Sequence, residues 1–176
     1  VVNQIKLAFA DTYSDQHTVQ CPVIDITNKK TLVYPMQIPN HDHASVVYTP
    51  LPTRDNNLIA LTMVTSHLLS PLFFQEMRTE KQYGYLVGIG YVPINRFPGI
   101  AFYIQSPHIG AIDLTKAIDE FITDSLEMLT EVNEETWTNL INGLASQLQE
   151  KDNNLRIQSQ RFWAAICNKD LTFSHK

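Results

Sequence analysis

A change of hydrophobic period on either side of one glycine constrains this chain most. Leu58, Leu61, Val64, Leu68, Leu69 and Leu72 recur at helical spacing from Asn57 onward. Ser70-Pro71 interrupts the run and reads as an N-cap followed by a proline at the first position of a second helix. That second helix is predicted to reach about Gln82 and to stop at Gly84, because glycine adopts the left-handed conformation without a Cβ clash. Beyond Gly84 the period drops to two. Residues 85–92 and 100–105 are strand-like, and the turn-rich stretch 93–99 between them has hairpin length.

The flanks complete the pattern. Before the helices, Leu32, Tyr34, Met36 and Ile38 alternate with other residues and 44–48 is rich in β-formers. This predicts two adjacent strands joined across Pro39-Asn40-His41-Asp42. After the hairpin, Leu114, Ala117, Ile118, Phe121, Ile122, Leu126 and Leu129 form one apolar helical face. Asn133 reads as the N-cap of a helix carrying Trp137, Leu140, Ile141, Leu144 and Leu148. A last helix holds Leu155, Ile157, Phe162, Trp163 and Ile166. The expected fold class is α+β, a largely antiparallel sheet with helices packed on one face. No repeat or linker splits the chain, so residues 1–176 are expected to form a single domain.

Composition narrows the function. With 176 residues, 44% hydrophobic and 18% charged, the chain can bury a real core. A net charge of -5 argues against nucleic acid and anionic membrane surfaces as partners. No apolar run approaches the roughly 20 residues needed to span a bilayer, and Asn3, Gln4 and Lys6 are out of place in a signal peptide. Cys21 and Cys167 can pair or remain thiols, which leaves the compartment open between periplasm and cytosol. A start without methionine and a stop at Ser174-His175-Lys176 read as a piece of something longer.

Catalytic motifs are sparse. The six histidines include no His-x-x-Glu-His arrangement. His41 and His43 are a close pair that would share one side of a strand, but no third ligand can be named. His67 stands among Val64, Leu68 and Leu69 as a core or edge histidine. There is no Gly-x-Ser-x-Gly elbow and no phosphate loop. Gly88 and Gly90 bare one side of a strand, where either a packed helix, the simpler account, or an extended peptide can approach.

Two residues around the Gly84 break carry more chemistry. Arg78 offers five donors in a planar fork suited to carbonyls and carboxylates, and Tyr85 offers a hydroxyl that can donate to an oxygen gaining charge. The plainer alternative pairs Arg78 with Glu76, Glu80 or other surface carboxylates and makes Tyr85 an edge aromatic.

Arg78-Thr79-Glu80-Lys81-Gln82-Tyr83-Gly84-Tyr85, preceded by Phe73-Phe74 and followed by Phe102-Tyr103-Ile104-Gln105-Ser106, resembles the arginine-to-Gly-Tyr segment and later Gln-Ser strand of the insulinase and pitrilysin peptidases. Arg161-Phe162-Trp163 is similar to an aromatic helix near the end of those proteins. The resemblance covers 31–173, with 1–30 as a lead-in. It implies the last of four related α+β domains, of the LuxS and mitochondrial-processing-peptidase type, in a chain whose two halves close over a peptide.

It also implies that zinc, with its His-x-x-Glu-His helix, belongs to the first domain, so that this piece binds no metal and is inactive alone. Arg78 and Tyr85 match family residues that reach the substrate near the metal, Arg78 to position peptide and Tyr85 to hydrogen-bond the scissile carbonyl or oxyanion. The implied partners are a peptide substrate and the N-terminal half of the same chain. Where the family pattern reads Lys-Glu-Gln-Leu before Gly-Tyr, this chain has Glu80-Lys81-Gln82-Tyr83, which places the arginine's local partner in question. The chain also stops before the family's final helix and strand, which predicts an exposed edge or apolar patch. The competing expectation is an assembly relative that has kept the fold and lost proteolysis.

Overall fold

The computed structural model describes residues 31–167, apart from 38, 40, 95 and 96, together with position 4. Three strands form an antiparallel sheet in the order β1-β3-β2: β1 is His43–Pro50, β2 Leu86–Tyr91 and β3 Gly99–Ser106. Among the described residues from 31 onward, the α-helices are α1 (Asn56–Phe74), α2 (Ala111–Thr130), α3 (Glu134–Gln149) and α4 (Leu155–Cys167), and α1 runs directly into a π-helical turn, Gln75–Glu80. The α+β class with helices on one sheet face is what the periodicities predict.

Alternation along the strands separates the two sheet faces. Ser45, Val47, Val87, Ile89, Phe102, Ile104 and Ser106 share the face that receives α1 and α2. Leu69, Phe73 and Met77 of the α1 segment meet Leu114, Ala117, Ile118 and Phe121 of α2 above it. The rings of Phe73, Phe102 and Phe121 pack mutually, edge to face where Phe73 meets Phe102 at 5.7 Å and Phe121 at 4.9 Å. A hydroxyl contact between Ser45 and Thr115, 2.7 Å, ties β1 to α2.

Several expectations are corrected. Residues 31–37 form no strand, and Leu32, Val33, Tyr34 and Met36 are exposed; Ile38 lies outside the described residues. Alternation without a neighbouring strand to pair against leaves such a run without its ladder bonds. Pro71 does not begin a new helix either: α1 passes through it. A proline inside a helix costs about 3 kcal/mol. Phe73 and Met77 beyond it are fully buried, and each such side chain is worth roughly 1.5–3 kcal/mol. Continuing the helix therefore wins. The merged segment, Asn56–Glu80, is by length and composition alone long enough and apolar enough to cross a membrane. Its Thr, Ser and His residues hide this in a count of apolar residues; Leu69, Phe73 and Met77 of the segment are buried in the core, while 28% of its most apolar stretch is buried overall.

The helices after the hairpin pack less completely than their periodicity suggests. Leu126 is exposed on α2, Leu144 alone is buried on α3, and no residue of α4 is buried. Asn133 caps α3 as expected, its side chain accepting from the Thr136 N–H at 2.8 Å.

The left-handed residue that ends the π-turn is Gln82, φ 53°, and Gly84 has no positive φ. Gly84 is required for space instead. A Cβ there would lie 2.2 Å from the Gln105 carbonyl oxygen, a backbone atom held in the central strand. Because a side chain at left-handed φ costs roughly 1–2 kcal/mol, Gln82→Gly is expected to raise the melting temperature by a few degrees, net of glycine's greater unfolded-state freedom. A fall in melting temperature would show that the Gln82 side chain contributes more than its backbone costs.

Candidate functional site

The site lies at the end of the sheet where β1 and β2 begin and β3 ends. Gln105 closes the central strand, between Ala44 of β1 and Leu86 of β2 in register. Gln105 and Ser106 point to opposite faces. Ser106 is buried and its Oγ accepts from the His108 and Ile109 N–H groups, turning the chain into α2. The Gln105 amide is left for the other face, where no described helix packs.

Three side chains close a ring there. Tyr85 Oη donates to Asp42 Oδ2 at 2.5 Å, Gln105 Nε2 donates to the same carboxylate oxygen at 2.9 Å, and Gln105 Nε2 also donates to Tyr85 Oη at 2.5 Å. A glutamine facing a carboxylate must present its nitrogen, which fixes the amide's orientation. The backbone holds the same register, with the Tyr85 N–H donating to the Gln105 carbonyl at 3.1 Å. Tyr85 itself is half exposed, at 51%.

Arg78 approaches from below. The π-turn widens the helix by one residue, with Lys81 N–H bonding to the Glu76 carbonyl at 2.8 Å and Tyr83 N–H to the Met77 carbonyl at 2.8 Å. Met77 is carried into the core while Arg78 emerges beside β2 and donates from Nη1 to the Tyr85 carbonyl. Its guanidinium lies 5.6 Å from the Phe74 ring centre. The plainer alternative's partners are engaged elsewhere: Glu76 pairs with Lys81 at 2.6 Å, and Glu80 accepts from Gln75 at 3.4 Å. The departure at Lys81 from the family pattern thus gives Glu76 its partner and leaves Arg78 to the backbone of the residue it was expected to act with.

Electrostatics follow this ring. The Tyr85 hydroxyl, then the Gln105 amide, holds the Asp42 carboxyl below its ordinary 3.8, and the bond to Asp42 pushes the Tyr85 phenol above 10.0. Asp42 is ionised and Tyr85 neutral across the physiological range. Asp42 and Gln105 are the residues that sequence reasoning did not assign to the site. Asp42 stood between two histidines that drew attention as a metal pair, and Gln105 was legible only through the Gln-Ser segment.

The other candidates disperse. Of His41 and His43, only His43 lies in β1, and among the described residues no group of three or more His, Cys, Asp or Glu side chains could hold a metal ion. His67 is exposed on α1 and borders two open cavities, of about 550 Å³ against α3 and about 300 Å³ against β2. Among the described residues, the Tyr103 ring lies over Gly88 and nothing lies within 4 Å of where a side chain at Gly90 would begin. Cys21 lies outside the described residues and Cys167 is exposed.

Residues 64–163 match the family model described as PQQ synthase PqqF-like, C-terminal lobe domain 4. The chain belongs to that family, as a C-terminal domain of an insulinase-type peptidase. Coenzyme PQQ synthesis protein F of Klebsiella pneumoniae is 35% identical over 118 residues, 67% of this chain and 14% of the relative. A nardilysin-like protein of Arabidopsis thaliana is 32% identical over 105 residues, 58% of this chain and 10% of the relative. Human insulin-degrading enzyme is 27% identical over 109 residues, 60% and 10%. Crystalline pitrilysin has the same fold, with a TM-score of 0.65 at 18% identity over 77% of this chain and 14% of that one. The chain therefore spans between 10% and 14% of the length of these relatives.

The insulinase-type domain's site titrates in two directions. Asp42, depressed when folded, contributes stability that is present above its unfolded value and lost as pH falls through the folded one. Tyr85, raised when folded, contributes stability that is lost as pH climbs beyond the phenol's unfolded value. Asp42→Asn is expected to flatten the acid limb of a melting-temperature profile between neutral pH and about pH 3 and to bring the Tyr85 phenol back towards its ordinary value by tyrosine NMR. An unmoved phenol would mean that the ring of three does not persist in solution.

Proposed function

We propose that this domain forms a non-zinc wall of a peptidase chamber, closing over an extended peptide and presenting Arg78 and Tyr85 to it. The observation that carries the reading is the half-exposed Tyr85 hydroxyl, anchored at the sheet end by Asp42 and Gln105 and backed by Arg78 on its own carbonyl. Family membership supports the reaction class, and peptidases among the relatives support peptide as the substrate class.

The division of labour follows from the donors available. Arg78 spends one N–H on the Tyr85 carbonyl, and its fork of five donors is large enough to take a peptide carbonyl or carboxylate as well. Tyr85, neutral and facing outward, is a hydrogen-bond donor for a carbonyl oxygen that gains charge as the peptide bond is attacked. Zinc, where a relative of this family uses it, activates the attacking water, and its ligands would come from another part of a longer chain. This domain alone is then inactive, and its contribution is positioning and charge stabilisation.

In the full-length chain, Tyr85→Phe is expected to lower kcat by about 10²–10³, the effect of removing one oxyanion donor. Arg78→Ala is expected to lower kcat/KM at least about tenfold, and Arg78→Lys to recover little, because an ammonium lacks the fork. Zinc content should stay at the wild-type value and both variants should remain folded, with no more than the small loss of stability that one exposed hydrogen bond carries. Peptide turnover unchanged in both variants would favour a domain kept for assembly.

A further inference from the structure

Tyr85 has one proton to give, and in this structure it gives it to Asp42. A phenol that donates to a carboxylate cannot at the same time donate to a substrate oxygen. Gln105 is different: its Nε2–H donates to the Tyr85 oxygen, a bond compatible with the phenol donating elsewhere and one that polarises the O–H. The two neighbours of the same hydroxyl therefore have opposite consequences for a donor role. The carboxylate also carries a negative charge beside the place where an oxyanion would form, and the amide carries none.

We propose that Gln105 is the positioning residue that aims the Tyr85 hydroxyl at the substrate, and that Asp42 is a latch that holds the hydroxyl's proton until a substrate oxygen displaces it. The proposal rests on the reading of Tyr85 as a substrate-facing donor. Geometry allows the exchange: the Tyr85 and Asp42 side chains both meet the Gln105 side chain, which the strand's alternation sends to the open face, their bond is exposed, and Gln105 is fixed by the central strand through its backbone. When the O–H turns from Asp42 to a substrate oxygen, the Gln105 bond to Oη can persist, so the ring keeps its aim while the proton changes acceptor. Gln105 then retains its second N–H bond to Asp42, which keeps the carboxylate from being stranded.

Steady-state kinetics on the full-length chain with a quenched-fluorophore peptide test this. Gln105→Met, which keeps the side chain's length and removes its donors, is expected to lower kcat towards the Tyr85→Phe value. Asp42→Ala is expected to raise kcat/KM by about 2- to 10-fold, the factor corresponding to one ordinary net hydrogen bond, with Asp42→Asn as the variant to read if alanine prevents folding. Neither substitution should have an effect in the Tyr85→Phe background, which a merely structural role would not predict. A fall in kcat/KM for Asp42→Ala and Asp42→Asn would overturn the latch, as would effects of either residue that persist without the Tyr85 hydroxyl. Should Tyr85→Phe alone leave turnover unchanged, the donor reading itself fails, a result distinct from a reversed sign at Asp42.

Discussion

The contact on which the site depends is the approach of Gly84 to the carbonyl of Gln105. With no Cβ at 84, the chain leaving the π-turn can lie directly on the end of the central strand, where a methyl would be 2.2 Å from the carbonyl oxygen. That approach sets the Tyr85 N–H on the same carbonyl and fixes the pairing of Leu86 with Gln105. From there the strand's alternation does the rest, sending Ser106 to the turn into α2 and Gln105 to the open face. One side chain's absence thus links helix end, strand register and site.

The core packs close to this end of the sheet. Phe73, Phe102 and Phe121 lock α1, β3 and α2 together, and Met77 extends the contact into the π-turn. Arg78 is the next residue after fully buried Met77, so its position relative to β2 is set by packing as well as by its own hydrogen bond. Sites built on packed elements hold their geometry better than sites on loops. Asp42 and Tyr85 are the exceptions, since they stand just before β1 and β2.

Much of this was legible in the sequence, for reasons that can be traced. The change from helical to alternating period around Gly84, the 93–99 hairpin connection and the Asn133 cap are local signals that the tertiary structure did not override. The resemblance in the Arg78-to-Tyr85 segment rests on residues that the fold brings together. The local signal at Pro71 misleads because the proline's cost is smaller than the burial of Phe73 and Met77, a non-local gain. The local signal at Gly84 points to a left-handed helix end, whereas what requires a glycine there is the approach to Gln105, 21 residues away in sequence, which no local pattern exposes. Asp42 was hidden for the same reason: its bond to Tyr85 spans 43 residues and closes only when β1 and β2 flank β3.

A wall that binds peptide should change its hydrogen bonds when peptide arrives. The most direct measurement is a structure of the full-length chain with an uncleaved peptide held in it. The account predicts the Tyr85 hydroxyl within hydrogen-bond distance of a peptide carbonyl oxygen, still receiving the Gln105 N–H, with the Arg78 guanidinium on the same peptide. A bound peptide that touches neither Arg78 nor Tyr85, with the hydroxyl still donating to Asp42, would contradict it.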